Sequence, residues 1–198
     1  MRRLYDVIIW VSGTPGVGKT VVGEALAQKL GYSFIDLPQF VKREKIYESY
    51  DRARKSYTVG VGRVRKALQK ERLKNCVISS HFVLPGLNRD EKCIVLRLNP
   101  LLLWRRLEKR GYNVRKITEN VEAEFVGIVF LDALAALGRR RVYQIDVTGK
   151  NMKQIVAKCV KILNGEAEGD SVDWLTNLTE KQSSKLLKAL AQARLRKR

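Results

Sequence analysis

The residues with the clearest chemistry are Gly13-Thr14-Pro15-Gly16-Val17-Gly18-Lys19-Thr20. They match G-x-x-x-x-G-K-[ST], a loop whose glycines let backbone N–H groups converge on phosphate oxygens. A lysine in that position reaches the β- and γ-phosphates of a nucleotide, and the hydroxyl after it can ligate Mg²⁺. Gly13, Thr14, Pro15, Gly16, Val17, Gly18, Lys19 and Thr20 are therefore candidate ATP contacts, with Thr20 as the metal ligand.

Such a loop works only between a strand and a helix. Residues 5–11 supply a near-continuous apolar run, Val7-Ile8-Ile9-Trp10-Val11, as a strand buried on both faces requires. Val21, Val22, Ala25, Leu26 and Leu30 then recur at helical spacing and Gly31 stands at the C-cap, so the helix N-terminus adds partial positive charge to the loop. Further strands are expected at 32–36, 77–79, 93–98 and 142–147. Helices are expected at 63–74, after Asn99-Pro100, from a Thr118 cap, and at 152–163. One stripe, Val121, Phe125, Ile128, Leu131 and Leu134, reads as a single helix face. Strands alternating with helices predict an α/β P-loop NTPase fold, a five-stranded parallel sheet covered by helices.

Composition narrows the partners. The 198 residues hold 39 Lys and Arg against 20 Asp and Glu, a net charge of +19. Between Lys42 and Lys74 there are twelve basic and four acidic side chains. RNA or a ribosomal surface would exploit that excess through phosphate neutralisation; a well-solvated surface is the other reading. Cys76, Cys93 and Cys159 sit in apolar contexts and read as free thiols of a reducing compartment, although Cys76 and Cys93 on neighbouring strands would permit a disulfide. The short apolar run before the loop excludes a signal peptide, and no run reaches membrane-spanning length. Residues 164–170 read as a polar linker. Beyond it Trp174, Leu175 and Leu178 can dock on the core, and a capping box at Thr179 and Gln182 opens a helix striped by Leu186, Leu187 and Leu190. The chain ends Arg194-Leu195-Arg196-Lys197-Arg198; that basic helix either complements its own dipole or docks on an acidic surface.

With the phosphate loop, the segment Arg106-Leu107-Glu108-Lys109-Arg110-Gly111-Tyr112-Asn113, the spaced tyrosines Tyr47 and Tyr50, and His81 at a strand end, the chain resembles the adenylate kinase isoenzyme 6 family. The resemblance implies a nucleoside monophosphate kinase-like domain over residues 1–166, with an AMP-binding segment near 37–61 and a short lid near 109–118, followed by a basic extension over 167–198. It implies ATP plus AMP giving two ADP, with accompanying ATP hydrolysis. It also implies a role in small ribosomal subunit maturation, with a platform ribosomal protein and rRNA as partners. The location implied is cytoplasmic, or nuclear in a eukaryote. Carried over by position, Gly16, Gly18, Lys19, Thr20 and Val21 contact phosphates and Arg110 in the lid hinge contacts ATP. Lys19, Arg110 and His81 are the candidate catalytic residues, His81 being otherwise an ordinary strand-end hydrogen bonder.

The chain departs from the family in three places. Ser79-Ser80-His81 replaces an Asp-x-His pattern that organises Mg²⁺, Gln39 replaces a carboxyl group, and Arg52, Arg54 and Lys55 replace acidic residues. Each change removes negative charge, which favours nucleotide binding over fast turnover. Two alternatives therefore stand beside the kinase: a low-turnover ATP-dependent binding module for rRNA or a ribosomal protein, and a metabolic kinase with another acceptor.

Overall fold

The computed structural model describes residues 6–51 and 56–195. Arg52, Arg54, Lys55, Tyr5 and the terminal Arg196-Lys197-Arg198 lie outside the described residues.

Strand β1 (Val7–Gly13) is buried along its whole length. It runs into the phosphate loop and helix α1 (Lys19–Leu30), then strand β2 (Ser33–Asp36) and helix α2 (Leu37–Arg43). A two-stranded antiparallel ribbon, β3 (Ser49–Asp51) and β4 (Ser56–Thr58), precedes α3 (Val61–Lys70) and β5 (Cys76–Ser79). Next come β6 (Asp90–Arg97), α4 (Pro100–Lys109), α5 (Val114–Val126) and α6 (Ile128–Leu137). Strand β7 (Val142–Asp146), α7 (Met152–Asn164), α8 (Trp174–Asn177) and α9 (Glu180–Leu195) complete the order.

The five strands β1, β2, β5, β6 and β7 form one parallel sheet in the order β2-β5-β1-β6-β7. The central strand β1 is therefore where the chain switches direction across the sheet, and its C-terminal end opens a crevice. Alternation along β1 feeds two cores. Val7, Ile9 and Val11 pack with Leu26, Leu103, Val121 and Ile155 on one face. Ile8 and Trp10 pack with Phe40, Leu68 and Leu137 on the other. Each fully buried leucine is worth roughly 1.5–3 kcal/mol, so the two layers fix the loop between them.

Several sequence expectations are corrected. Cys76 and Cys93 are not neighbours: Cys76 pairs with Ile8 and Cys93 with Trp10, so β1 separates them and both are free. Burial raises the Cys93 and Cys159 thiols far above their usual range. Thr118 does not cap a helix; Asn113 does, its side chain accepting from the Lys116 amide at 2.8 Å, and Thr118 lies one turn inside, donating to the Val114 carbonyl. The single stripe from Val121 to Leu134 breaks at Gly127, which takes φ 74° between α5 and α6 and leaves Ile128 and Leu131 exposed. The helix expected at 63–74 spans Val61–Lys70.

Residues 164–170 turn back along the edge strand. The Asp170 amide donates to the Gln144 carbonyl at 2.7 Å, and its carboxylate accepts from the Asp146 amide at 2.9 Å. Trp174, Leu178, Leu186 and Leu190 then join the first core, whereas Leu175 and Leu187 face solvent. The capping box at Thr179 and Gln182 is formed. Among the described residues, no helix is long and apolar enough to cross a membrane.

Candidate active site

The phosphate loop is held by close packing from below. Gly13, at φ 143°, sits where a Cβ would meet the Leu96 carbonyl at 2.6 Å. Gly16, at φ 100°, leaves no room for a side chain beside Leu103 and Leu107 of α4, 2.9 and 2.8 Å away. Helix α1 begins after Gly18 with no side-chain cap, so its first amides remain available to an anion. From α4, the Arg106 guanidinium donates to the Val17 carbonyl at 3.3 Å and steadies the loop. Val21 is exposed on the first turn of α1.

Lys19 folds back over the loop, its ammonium donating to the Thr14 carbonyl at 3.2 Å. Burial pushes its pKa down to about 8; the carboxylates of Asp36 and Glu124 oppose that shift, and the Arg110 guanidinium adds to it. Arg110 is the C-cap of α4. The expected lid at 109–118 is a tight connection from α4 to Asn113, followed directly by the first turn of α5.

Sequence reasoning missed Asp36. It ends β2, pairs in register with Ser79 on β5, and caps α2 by accepting from the Gln39 amide at 3.1 Å. Its other oxygen accepts the Thr20 hydroxyl at 2.8 Å. The Ser79 departure therefore does not leave the loop without a carboxylate; the neighbouring strand supplies one. Position at the carboxyl end of a parallel strand was the signal available for it.

Next to the loop lies a cavity of about 440 Å³, walled by Pro15, Pro38, Val41, Tyr57, His81 and Tyr112. Pro15 joins it to the phosphate site. His81 lies just beyond β5, its ring edge-on to Phe82 at 4.8 Å. Desolvation against the wall, and then the Lys19 ammonium, hold His81 below the usual histidine range. The loop that follows is pinned by buried Glu91, which accepts from the amides of Gly86, Leu87 and Asn88 at 2.8 to 3.0 Å and from the Trp10 indole at 3.0 Å. Lys116, also in the cavity wall, stands 4.7 Å over the Tyr112 ring.

A resident metal finds no cage of its own: among the described residues no three His, Cys, Asp or Glu side chains gather to hold one. Mg²⁺ seldom needs one, since it binds through one or two protein oxygens plus substrate phosphates and waters. The adjacent Thr20 hydroxyl and Asp36 carboxylate fit that requirement.

The AAA domain family model matches residues 9–127. A "Putative adenylate kinase" of Saccharolobus solfataricus is 37% identical over 176 residues, covering 86% of this chain and 89% of the relative. One of the same name from Methanocaldococcus jannaschii is 34% identical over 169 residues, 84% of this chain and 92% of the relative. Among solved structures, a shikimate kinase from Bacteroides thetaiotaomicron superposes with a TM-score of 0.53 at 21% identity, covering 80% of this chain and 98% of that one. At that identity the likeness concerns the fold alone.

Proposed function

The chain belongs to the archaeal adenylate kinase-like family, and we propose that it moves the γ-phosphoryl group of ATP onto AMP, giving two ADP, with ATP hydrolysis as an accompanying activity. The observation that carries this reading is the pairing of two compartments. An uncapped helix N-terminus with Lys19 beside it faces a separate acceptor cavity that shares Pro15 with the loop.

Phosphoryl transfer asks the protein for position and charge rather than for a covalent group. The loop amides and Lys19 hold the phosphates of ATP, and Arg110 offsets charge from the α4 end. Thr20 and Asp36 would hold Mg²⁺, which neutralises phosphate charge when bound. Tyr57, Tyr112 and His81 would flank AMP in the cavity, with His81 mainly neutral near pH 7 because its pKa is lowered. The test is an assay that follows ATP, ADP and phosphate separately, with and without AMP. ADP formation that requires AMP and is lost in Lys19→Ala is expected; slow phosphate release indifferent to AMP would reject the adenylate kinase reading.

A second reading is favoured by one surface. Tyr47, Tyr50 and Tyr57 are exposed on and beside the β3–β4 ribbon, with Tyr57 4.6 Å from Tyr47 and 4.9 Å from Tyr50, within the basic stretch from Lys42 to Lys74. Exposed aromatics among cations suit single-stranded RNA. On this reading the protein acts in small ribosomal subunit assembly, holding rRNA or a platform ribosomal protein, in the manner of the isoenzyme 6 family. RNA affinity falling steeply with salt would support it.

A further inference from the structure

A buried polar network joins the phosphate loop to the C-terminal segment. Glu124 of α5 is 1% exposed and Arg97, at the end of β6, is 3% exposed. One Glu124 oxygen, Oε2, accepts the Thr14 hydroxyl at 2.6 Å. The other, Oε1, accepts from Arg97 Nε at 2.9 Å, the Leu98 amide at 3.0 Å and the Trp174 indole N–H at 3.0 Å. Arg97 in turn donates to the Glu124 carbonyl at 2.7 Å, to the Val172 carbonyl at 3.3 Å and to the Gln144 side chain, and its guanidinium lies 5.9 Å from the Trp174 ring centre.

A buried ion pair keeps its geometry only while its remaining lone pairs and protons are satisfied. Residues 172–174 satisfy two of them. Without the indole, Oε1 keeps only Arg97 and the Leu98 amide as donors, and the carboxylate is less firmly set. Its second oxygen holds the hydroxyl of Thr14, whose carbonyl receives the Lys19 ammonium.

We propose that Glu124 and Trp174 are positioning residues for the phosphate loop, so that docking of the C-terminal segment and binding of a nucleoside triphosphate favour one another. This rests on the nucleotide-binding reading above. The coupling is reciprocal, because each event stabilises the same arrangement of Glu124.

The test titrates Mg·ATP by calorimetry into the full chain and into Trp174→Phe, which keeps an aromatic ring, though a smaller one, and removes the donor. It adds Leu175→Ala as a control on an exposed neighbour. Affinity about three- to tenfold weaker in Trp174→Phe and unchanged in Leu175→Ala is expected, the range of one hydrogen bond to a charged group partly relayed to the loop. Hydrogen exchange supplies a second readout: Mg·ATP should slow amides of α8 and α9 in the natural chain and have less effect in Trp174→Phe. In a double-mutant cycle, Trp174→Phe should add little to Thr14→Val and keep its full effect on Thr14→Ser, which retains the hydroxyl. Equal affinities, or no ATP-dependent protection of α8 and α9, would overturn the coupling while leaving nucleotide binding intact. If Trp174→Phe folds poorly, the protection measured on the natural chain decides alone. Failure of the natural chain to bind Mg·ATP would instead reject the nucleotide reading, and the coupling with it.

Discussion

On the proposed reading Lys19 meets phosphate as a cation, yet the free protein holds its pKa at about 8, close enough to neutrality for pH to matter. Below that value the ammonium is already present and ATP binding takes up no proton here. Above it the amine is neutral, so each ATP bound must bring a proton with it. Affinity should then fall by up to about tenfold per pH unit, until the pKa of the complex is reached. Calorimetry in two buffers of different ionisation enthalpy measures this directly. Proton uptake should be small near about pH 7 and approach about one per site at about pH 9. Stability without ligand has the opposite sign. Between about 8 and the ordinary value of 10.5, the folded chain binds fewer protons at Lys19 than the unfolded chain, so this group's contribution to stability rises with pH. Asp36 allows a sharper experiment, because it and Ser79 are register partners across β2 and β5. Asp36→Asn should weaken Mn²⁺ binding to the ATP complex, read by the paramagnetic signal of the ion, by about tenfold or more, with ATP binding less affected. Adding Ser79→Asp to that variant should restore much of the loss. No recovery would mean that the metal depends on the position of Asp36 and not on a carboxylate at that edge.

Secondary structure that depends on neighbours in sequence was legible before the fold was known. The glycine loop, the strand before it, the Asn99-Pro100 helix start and the Thr179–Gln182 box all rest on contacts a few residues apart. Glu124 was not legible, because its partners Thr14, Arg97 and Trp174 lie 110, 27 and 50 residues away and a helical glutamate ordinarily reads as exposed. The break between α5 and α6 has the same origin. Gly127 looks like a tolerated glycine within one stripe, but the Arg97 guanidinium lies 3.3 Å from where its Cβ would be, and the backbone there turns left-handed. Strand order misled the cysteine reading for a further reason. Cys76 and Cys93 belong to consecutive strands of the main sheet, yet β1 lies between those strands in space. The candidate site shows the same division: the residues of the loop were readable from spacing, while Asp36, Glu124 and the bond from Arg106 to the loop became visible only when separate elements converged on it.

At the scale of the whole molecule, a net charge of +19 opposes compaction through self-repulsion, and apolar burial has to hold the C-terminal segment against it. Two kinds of contact fasten α9 to the rest, an ion pair and buried apolar side chains. Arg194 bonds Glu122 of α5 at 2.7 and 3.1 Å, but the arginine side chain is 69% exposed, and an ion pair of that kind is worth under about 1 kcal/mol. Leu186 is fully buried in the core that also holds Trp174, Leu178 and Val121. Leu186→Ala should therefore cost about 2–5 kcal/mol, whereas Glu122→Gln should cost less than about 1 kcal/mol and lose even that at high salt. Urea unfolding followed by both tryptophan emission and far-ultraviolet dichroism would measure the two variants. Because Leu186 shares one core with β1 and α1, the natural chain should unfold in a single transition seen alike by both probes. Two separated transitions, with Leu186→Ala moving only the earlier one, would make the extension an independent unit that docks on the kinase-like core.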